Sequence, residues 1–499
     1  LNVISDLFHE TGNAARSLAE FIVGGNLRLG VTGLSRSGKT VFITALVHHL
    51  TRLAAGSAAE PRKTFPVFRV HAEGRLLRAR LEPQPDDQIP RFALEEHIAA
   101  LTGGEAGPEA RRWPDSTRRI SELRVTIEFE RSSGWRSGPS ALTLDIVDYP
   151  GEWLLDLPLL AKDYGQWSRE TIESAGSKAR ALLSAPWRGF LASLDPNGPE
   201  DEEKARKAAE LFTAYLRACR DERYALSTLP PGRFLMPGDM EGSPALTFAP
   251  LPLAEGEAPR RGTLGAMMAR RYEAYRTHVV RPFFRDHFSR LDRQIVLVDA
   301  LSALNSGPSA VRDLETAMTD VMTAFRAGRS TWLSQIFRPR IDRILFAATK
   351  ADHLHHASHD RLEAILRMLV DRAIARAENV GAEVDALAIA AVRATREARV
   401  KHGGETLDAI VGVPAQGETI NGETFDGHTE AAIFPGELPA DPRVVFQGEG
   451  IARDEAEAAW RFARFRPPLL APGADGGPGA LPHIRLDRAI EFLIGDKLL

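Results

Sequence analysis

A chain of 499 residues can form one large domain with insertions or two to three domains, and 43% hydrophobic with 26% charged residues is the balance of an ordinary globular protein. A formal net charge of −4 leaves no electrostatic footprint for DNA or RNA, so nucleic acid is not an expected partner. The single cysteine, Cys219, excludes an intrachain disulfide and a cysteine-built metal site, and reads as an inert, partly buried thiol in a helical stretch.

Residues 1–25 carry no basic-then-apolar signal pattern. Val3, Leu7, Ala14, Leu18 and Phe21 or Ile22 fall near one face, which predicts an amphipathic helix packed on the main domain. Attachment to a membrane surface is the alternative, although the polar face lacks the Lys/Arg richness of such helices. No run approaches the ~18 apolar residues a transmembrane segment needs, so a cytoplasmic location is expected. Residues 26–151 open with an apolar strand at 27–33, a glycine-rich turn and a helix at 40–53. A mixed stretch, 54–115, contains one helical piece at 92–101 and precedes two β-type runs, 123–129 and 141–147, joined as a hairpin.

Residues 152–290 break the rhythm. Helices at 167–183, 202–220 and 267–291 surround a Pro/Gly-rich loop at 229–259, which predicts a large helical insertion. Alternation resumes over 291–400, with strands at 294–298, 343–348 and 386–392 and helices at 311–325 and 361–377. Such alternation implies a mostly parallel sheet covered on both faces. Residues 401–460 read as a smaller β-type or loop insertion. Residues 461–499 read as a segment packing on the core, with a surface loop at 471–479 and a final helix at 484–494. The fold class is therefore α/β, a P-loop nucleoside triphosphatase core with a helical insertion and a C-terminal β-type insertion.

The spacing G-x-x-x-x-G-K-T, Gly33 to Thr40, has a physical reason. Gly33 and Gly38 let the backbone turn tightly around an anion, and the following helix adds its positive end. Lys39 is expected on the β- and γ-phosphates and Thr40 on Mg²⁺, with Ser35, Arg36, Ser37, Gly38 and Val41 completing the contacts. The second strand of the hairpin runs into Asp148-Tyr149-Pro150-Gly151. An acidic residue at a strand end is where P-loop enzymes place the carboxylate that orders Mg²⁺, and the Gly151 N–H is expected on the γ-phosphate. Asp145, facing the opposite way, is expected in a salt bridge or at an edge.

The strand at 343–348 leads into Thr349-Lys350-Ala351-Asp352, close to the N-K-x-D sequence with which small GTPases read guanine. There the Asp carboxylate accepts from the ring N1–H and 2-amino group, a pair adenine does not present, and the Lys stem lies across the purine. The rival reading is a solvated Lys/Asp pair with Asp352 as helix N-cap. Val392 and Arg393, after the last strand, are loosely assigned the main-chain N–H that meets guanine O6. Thr117, ahead of the first hairpin strand, has the placement of a switch threonine that reaches Mg²⁺ beside the γ-phosphate; Ser116 is its rival. Glu152 stands where many small GTPases carry the Gln that orients water, and its charge predicts slow turnover. Arg36 is a candidate built-in cation for the transition state, or a surface arginine. Of the 14 histidines, His353, His355 and His356 cluster, and a solvated loop is expected there rather than a metal site.

Several blocks resemble the YcjX-like bacterial P-loop proteins: L-R-L-G-V-T-G-L-S-R-S-G-K-T-V-F-I-T-A-L-V (27–47), W-P-D-S-T-R-R-I-S-E-L-R (113–124), D-Y-P-G-E-W-L-L-D-L-P (148–158), V-L-V-D-A-L (296–301), F-A-A-T-K-A-D (346–352) and P-H-I-R-L-D-R-A-I-E-F-L-I-G-D-K-L (482–498). The resemblance implies a Ras-like core, GTP and GDP as substrate and product, and a place in the bacterial envelope-stress response. It also implies that Gly33 to Thr40, Thr117, Asp148 to Gly151 and Thr349 to Asp352 are the nucleotide contacts. A protein partner met through the insertion at 152–290, with peripheral placement at the inner membrane as one form of it, is the expectation that the switch reading adds. An ATPase using the same loop, or a nucleotide-sensing scaffold without useful turnover, are the competing functions.

Overall fold

The computed structural model describes residues 25–499 except 35, 55–64, 133–137, 255, 257–258, 325–340, 380, 403–404, 421, 448–459, 461 and 471–478. The expected N-terminal helix, Ser35 and nearly all of the 471–479 loop lie outside the described residues.

A seven-stranded sheet forms the centre, in the order β2-β3-β4-β1-β5-β6-β7. Its strands are β1 (Gly25–Gly33), β2 (Leu76–Glu82), β3 (Ser121–Glu130), β4 (Pro139–Asp148), β5 (Arg293–Val298), β6 (Arg343–Ala348) and β7 (Glu383–Ala388). β4-β1-β5-β6-β7 run parallel, while β2-β3-β4 is an antiparallel meander. The central strands are buried on both faces, which is why β1 and β5 read as nearly unbroken apolar runs. β2 was not expected: L-L-R-A-R-L-E alternates weakly, and as an edge strand it leaves much of its surface to solvent. β7 begins and ends earlier than the apolar run suggested. Glu383 and Asp385 belong to the ladder beside β6, whereas 389–392 turn away to line the cavity described below.

One face of the sheet is covered by α1 (Lys39–Ala54), α2 (Leu94–Thr102) and the C-terminal helix Leu486–Ile494. Leu27, Leu29, Leu144, Ile146, Ile295 and Leu345 pack there with Ile490 and Leu493. The other face, with Val147, Val296, Val298 and Phe346, continues without interruption into the insertion. Its helices are α3 (Tyr164–Ala175), α4 (Ala181–Leu191), α5 (Glu202–Arg220), α6 (Leu264–Tyr275) and α7 (Arg281–Asp286). The insertion thus shares the core of the sheet.

Two long helices expected there are interrupted for local reasons. The stretch 167–183 breaks at Gly176, the C-cap of α3. The stretch 267–291 widens into a π-turn at Arg276–Val280 just before Pro282, which has no N–H for the regular ladder. α5 holds its line: the Asp201 side chain caps it from Lys204 N, Glu202 and Glu203 sit at its positive end, and Arg217 and Arg220 at its negative end.

On the core side follow α8 (Ala300–Ser306), α9 (Pro308–Ala324) and α10 (His359–Glu378). The C-terminal β-type region is confirmed as a small sheet of β8 (Arg396–His402), β9 (Glu405–Gly412) and β12 (Ala431–Ile433), beside the two-residue pair β10 (Thr419–Ile420) and β11 (Glu423–Thr424). The expected boundary at 400/401 falls inside the β8–β9 hairpin. Cys219 is fully buried on α5 rather than partly so.

A buried ion pair ties the insertion to the core. Arg180 NH2 lies 2.5 Å from Asp313 Oδ1 on α9, and Asp313 Oδ2 also accepts from the main-chain N–H of Ser227 and Thr228. Removing the carboxylate strands a buried guanidinium, so Asp313→Ala is expected to destabilise the protein by about 3–5 kcal/mol in urea unfolding; a loss below about 1 kcal/mol would show that the pair is not a tie.

Candidate nucleotide-binding site

β1 delivers the chain into the glycine-rich loop and the 16-residue helix α1 leaves it, so the loop lies at the positive end of a long helix. Gly38 takes φ +84° and Arg36 φ +62°, left-handed backbone that glycine adopts freely and arginine only under constraint. Lys39 is buried, and its Nζ donates to Gly33 O at 3.1 Å, folding the ammonium back across the loop. The buried Ser37 hydroxyl has no hydrogen-bond partner among the described residues, an unmet donor that an anion would satisfy.

The parallel register Val31↔Asp148 between β1 and β4 sets the acidic strand end beside this loop. Thr117 Oγ1 donates to Asp148 Oδ2 at 2.7 Å and lies 3.2 Å from Thr40 Oγ1. Three residues distant in the sequence thereby bring their oxygens together. Asp148 Oδ1 is buried and unpartnered. Burial pushes the Asp148 carboxyl up to about 6, against the pull of the Lys39 ammonium and the Thr117 hydroxyl. An all-oxygen set with a carboxylate lone pair unspent suits a hard divalent cation such as Mg²⁺. Ser116 lines the same cavity, but the hydroxyl bonded to Asp148 is that of Thr117. Asp145 points away and forms a bidentate pair with Arg124, at 2.6 and 2.9 Å, as the strand alternation required.

At the far end, Lys350 sits at φ +62° and its Nζ meets Asp299 Oδ2 at 2.5 Å. Asp299 also caps α8, so the lysine head is anchored. Asp352 is buried, with Oδ2 accepting from Ala394 N at 2.8 Å and its carbonyl from Thr395 Oγ1. That burial removes the reading of a solvated Lys/Asp pair. Thr349 and Val392 line the cavity, but Arg393 corrects its assignment: its N–H donates to Pro482 O at 2.6 Å and is not free for a base.

One cavity of about 490 Å³ joins the two ends, with Asp148 buried behind Thr117 and Asp299 behind Lys350. It reaches from Arg36, Lys39, Thr40 and Val41, past Thr117 and Glu152, to Thr349, Lys350 and Asp352. Its remaining wall was not foreseen. Gln416, Arg464 and Phe465 come from the C-terminal region and Glu222 from the turn just after α5 of the insertion. Phe465 stands edge-on to His353 with ring centres 5.5 Å apart, and its carbonyl accepts from Trp113 Nε1 at 2.7 Å. The run Trp460 to Pro468, where aromatic and basic residues alternate, was the visible signal for this wall.

Glu152 is buried and its carboxylate lies 3.4 Å from Arg220 of α5, so its charge is neutralised by the insertion. Arg36 is half-exposed and pairs with Glu222 at 2.8 Å. The histidine loop differs from expectation: His353 and His355 are buried because the C-terminal sheet covers them. His355, His356 and Glu397 place donor atoms within 4.8 Å of one another, and the His356 Nδ1–Glu397 Oε2 contact of 2.7 Å together with the Arg393–Glu397 pair accounts for the carboxylate.

The YcjX-like family, DUF463, matches residues 27–498. The chain belongs to that family. It is 39% identical to a protein of Escherichia coli K12 named Ras-like GTPase YcjX, over 97% of this chain and 99% of that one. A protein of the same name from Shewanella oneidensis is 33% identical, with 98% of each chain covered. The mostly parallel sheet with its P-loop is the core expected from the resemblance. Among the described residues no helix is long and apolar enough to cross a membrane.

The raised Asp148 pKa has a sign that can be measured. Between the ordinary 3.8 and about 6, the folded chain holds a proton there that the unfolded chain has released, so this group's contribution to stability falls as pH rises through that window. Asp148→Asn is expected to remove roughly 3 kcal/mol of that pH dependence in ligand-free thermal unfolding. Wild-type and variant curves that stay parallel from pH 4 to about 7 would contradict the assignment.

Proposed function

We propose that the chain is a Mg²⁺-dependent GTP-binding protein that hydrolyses GTP slowly to GDP and phosphate, its nucleotide state acting as a switch. One observation carries this. A single cavity has the phosphate loop with the Thr40 and Thr117 hydroxyls at one end, Asp148 buried behind Thr117, and a buried Asp352 beside an anchored Lys350 at the other. That polarity matches a nucleotide with a charged tail and a purine head. Lys39 then leaves Gly33 O for the phosphate oxygens, and Ser37 and the loop amides complete the cradle. Asp352 offers its carboxylate to N1–H and the 2-amino group, and the Lys350 stem covers the ring. The names of the two relatives support the same base.

Bound Mg²⁺ would be held through Thr40, Thr117 and Asp148 and would neutralise charge on the phosphates. In hydrolysis, water attacks the γ-phosphorus in line and the bond to the bridging oxygen of GDP breaks. Lys39 and the Gly151 N–H bear on the charge that develops. Glu152 is held by Arg220, so little orients the water, which supports slow turnover. The same pair keeps alive a second reading, a GTP/GDP-sensing scaffold without useful turnover. The insertion 152–290 is proposed to report the nucleotide state to a protein partner in the envelope-stress response that the family resemblance implies, with the chain cytoplasmic or peripheral at the inner membrane.

Calorimetry with Mg²⁺ should show GTP and GDP binding and ATP at least roughly a hundredfold weaker, the cost of two lost hydrogen bonds to a buried carboxylate. Lys39→Ala should abolish binding. Asp352→Asn should turn preference from guanine toward xanthine, whose 2-oxo group accepts where the 2-amino group donated. Equal affinity for ATP, unmoved by Asp352→Asn, would replace this reading with an ATPase.

A further inference from the structure

Three segments that never meet in the sequence join at the mouth of the cavity. Arg36 NH1, in the phosphate loop, lies 2.8 Å from Glu222 Oε1. Arg464 NH1, in the C-terminal segment, lies 2.9 Å from Glu222 Oε2. All three side chains line the cavity and are about half exposed, at 47%, 45% and 55%, so they stand at its rim. Each arm is fixed behind. Arg464 Nε pairs with Glu418 Oε2 at 2.8 Å, and Arg464 O accepts from Ala415 N at 2.8 Å. Glu222 O accepts from Ser306 Oγ at 3.2 Å, at the end of α8.

One carboxylate therefore spans from the phosphate loop to the wall that carries Phe465, across the opening of the cavity. Glu222 also follows closely on Arg220, which holds Glu152. The last turn of α5 thus controls two contacts at once: the charge next to Gly151 and the bridge over the opening. Exposed ion pairs are individually weak and screened by salt, so the bridge is one that thermal motion or a partner opens.

We infer that Arg36, Glu222 and Arg464 form a clasp over the nucleotide, with Glu222 the positioning residue that sets the rate of nucleotide release, and that displacing the end of α5 opens it. The inference rests on the reading that this cavity holds a guanine nucleotide, and extends it to the regulation of that site. With nucleotide bound, release requires Glu222 to part from both arginines, whereas the phosphate and base contacts at the floor are unaltered. The same pairs must part for entry, so the clasp bears on both rates, and release is the one that reads the closed state directly.

The test is release of N-methylanthraniloyl-GDP from the full chain with Mg²⁺, followed by stopped flow after addition of excess GDP. Glu222→Gln should speed release roughly two- to fivefold, as should Arg464→Met, and the double variant should be no faster than the faster single one, because both break one bridge. Raising NaCl from about 0.05 to 0.5 M should speed release from the wild type and leave Glu222→Gln nearly unchanged. Thermal midpoints close to wild type separate this from damage to the fold, and should one variant misfold, the other and the salt series still decide. Wild-type release rates in either folded variant, or effects that multiply in the double variant, would overturn the clasp while leaving the nucleotide site intact. Absence of any binding by the wild type would instead remove the site itself, and the clasp with it.

Discussion

The geometry of the site hangs on one close approach of main chain to main chain. Gly151 lies so tightly against the phosphate loop that a Cβ there would overlap the Gly33 carbonyl and press on Leu34 Cα at 3.2 Å. No side chain can stand between the acidic strand end and the loop. That approach follows from the parallel pairing of β1 with β4, which sets the two strand ends level, and from the absence of a side chain at position 151. With it, the Asp148 carboxyl, the Thr117 and Thr40 hydroxyls and the Lys39 ammonium occupy one small volume. Without it they would be four unrelated polar residues.

The same contact explains why the insertion is built onto the sheet instead of hanging from it. Beyond Gly151 the chain forms a tight helical stretch, Gly151–Ala161, buried along nearly its whole length. Gly232 approaches the Glu152 carbonyl too closely for any Cβ, and Gly232 N donates to Asp156 Oδ1 at 2.7 Å. The Asp156 carboxyl is pushed up to about 6 by burial, partly offset by the Tyr275 hydroxyl and the Gly232 N–H that donate to it. Trp153 carries the Arg233 guanidinium on its ring face and donates from Nε1 to Met236 O at 2.9 Å. A displacement at Gly151 therefore meets backbone and buried side chains of the insertion directly.

The base end is finished by chain that comes much later. Residues 389–392 pair with the segment before the last helix through the Ala390↔Ile484 bridge, and Gly412 packs so closely on Phe465 and Ala394 that a larger residue would force them apart. The C-terminal region is thereby part of the cavity wall, and the final helix packs on β5 and β6, on the face of the sheet that also carries α1.

Residue order alone determined much here, and the reason is physical. Phosphate binding uses backbone turns, which require Gly33, Gly38, Lys39 and Thr40 at fixed spacing, and parallel strands require apolar runs ahead of Asp148 and Thr349. Such local demands leave a local trace, so the α/β core, the helical insertion, the β-type region and the Thr40, Asp148 and Asp352 positions were legible. The Thr117 assignment was readable only as a place in the order; the hydrogen bond to Asp148 singled it out from Ser116. Edge strand β2 was obscured because an edge needs no strict alternation, and the end of β7 because residues lining a cavity are as apolar as a strand. Only the tertiary structure decided that Glu152 is paid off by Arg220, that Arg393 spends its N–H on Pro482, that His353 and His355 are buried, and that Glu222, Gln416, Arg464 and Phe465 meet at the cavity. These are contacts between segments well separated in the chain. No spacing rule governs them, since they depend on how the sheet order and the two insertions fold back over the ends of the strands.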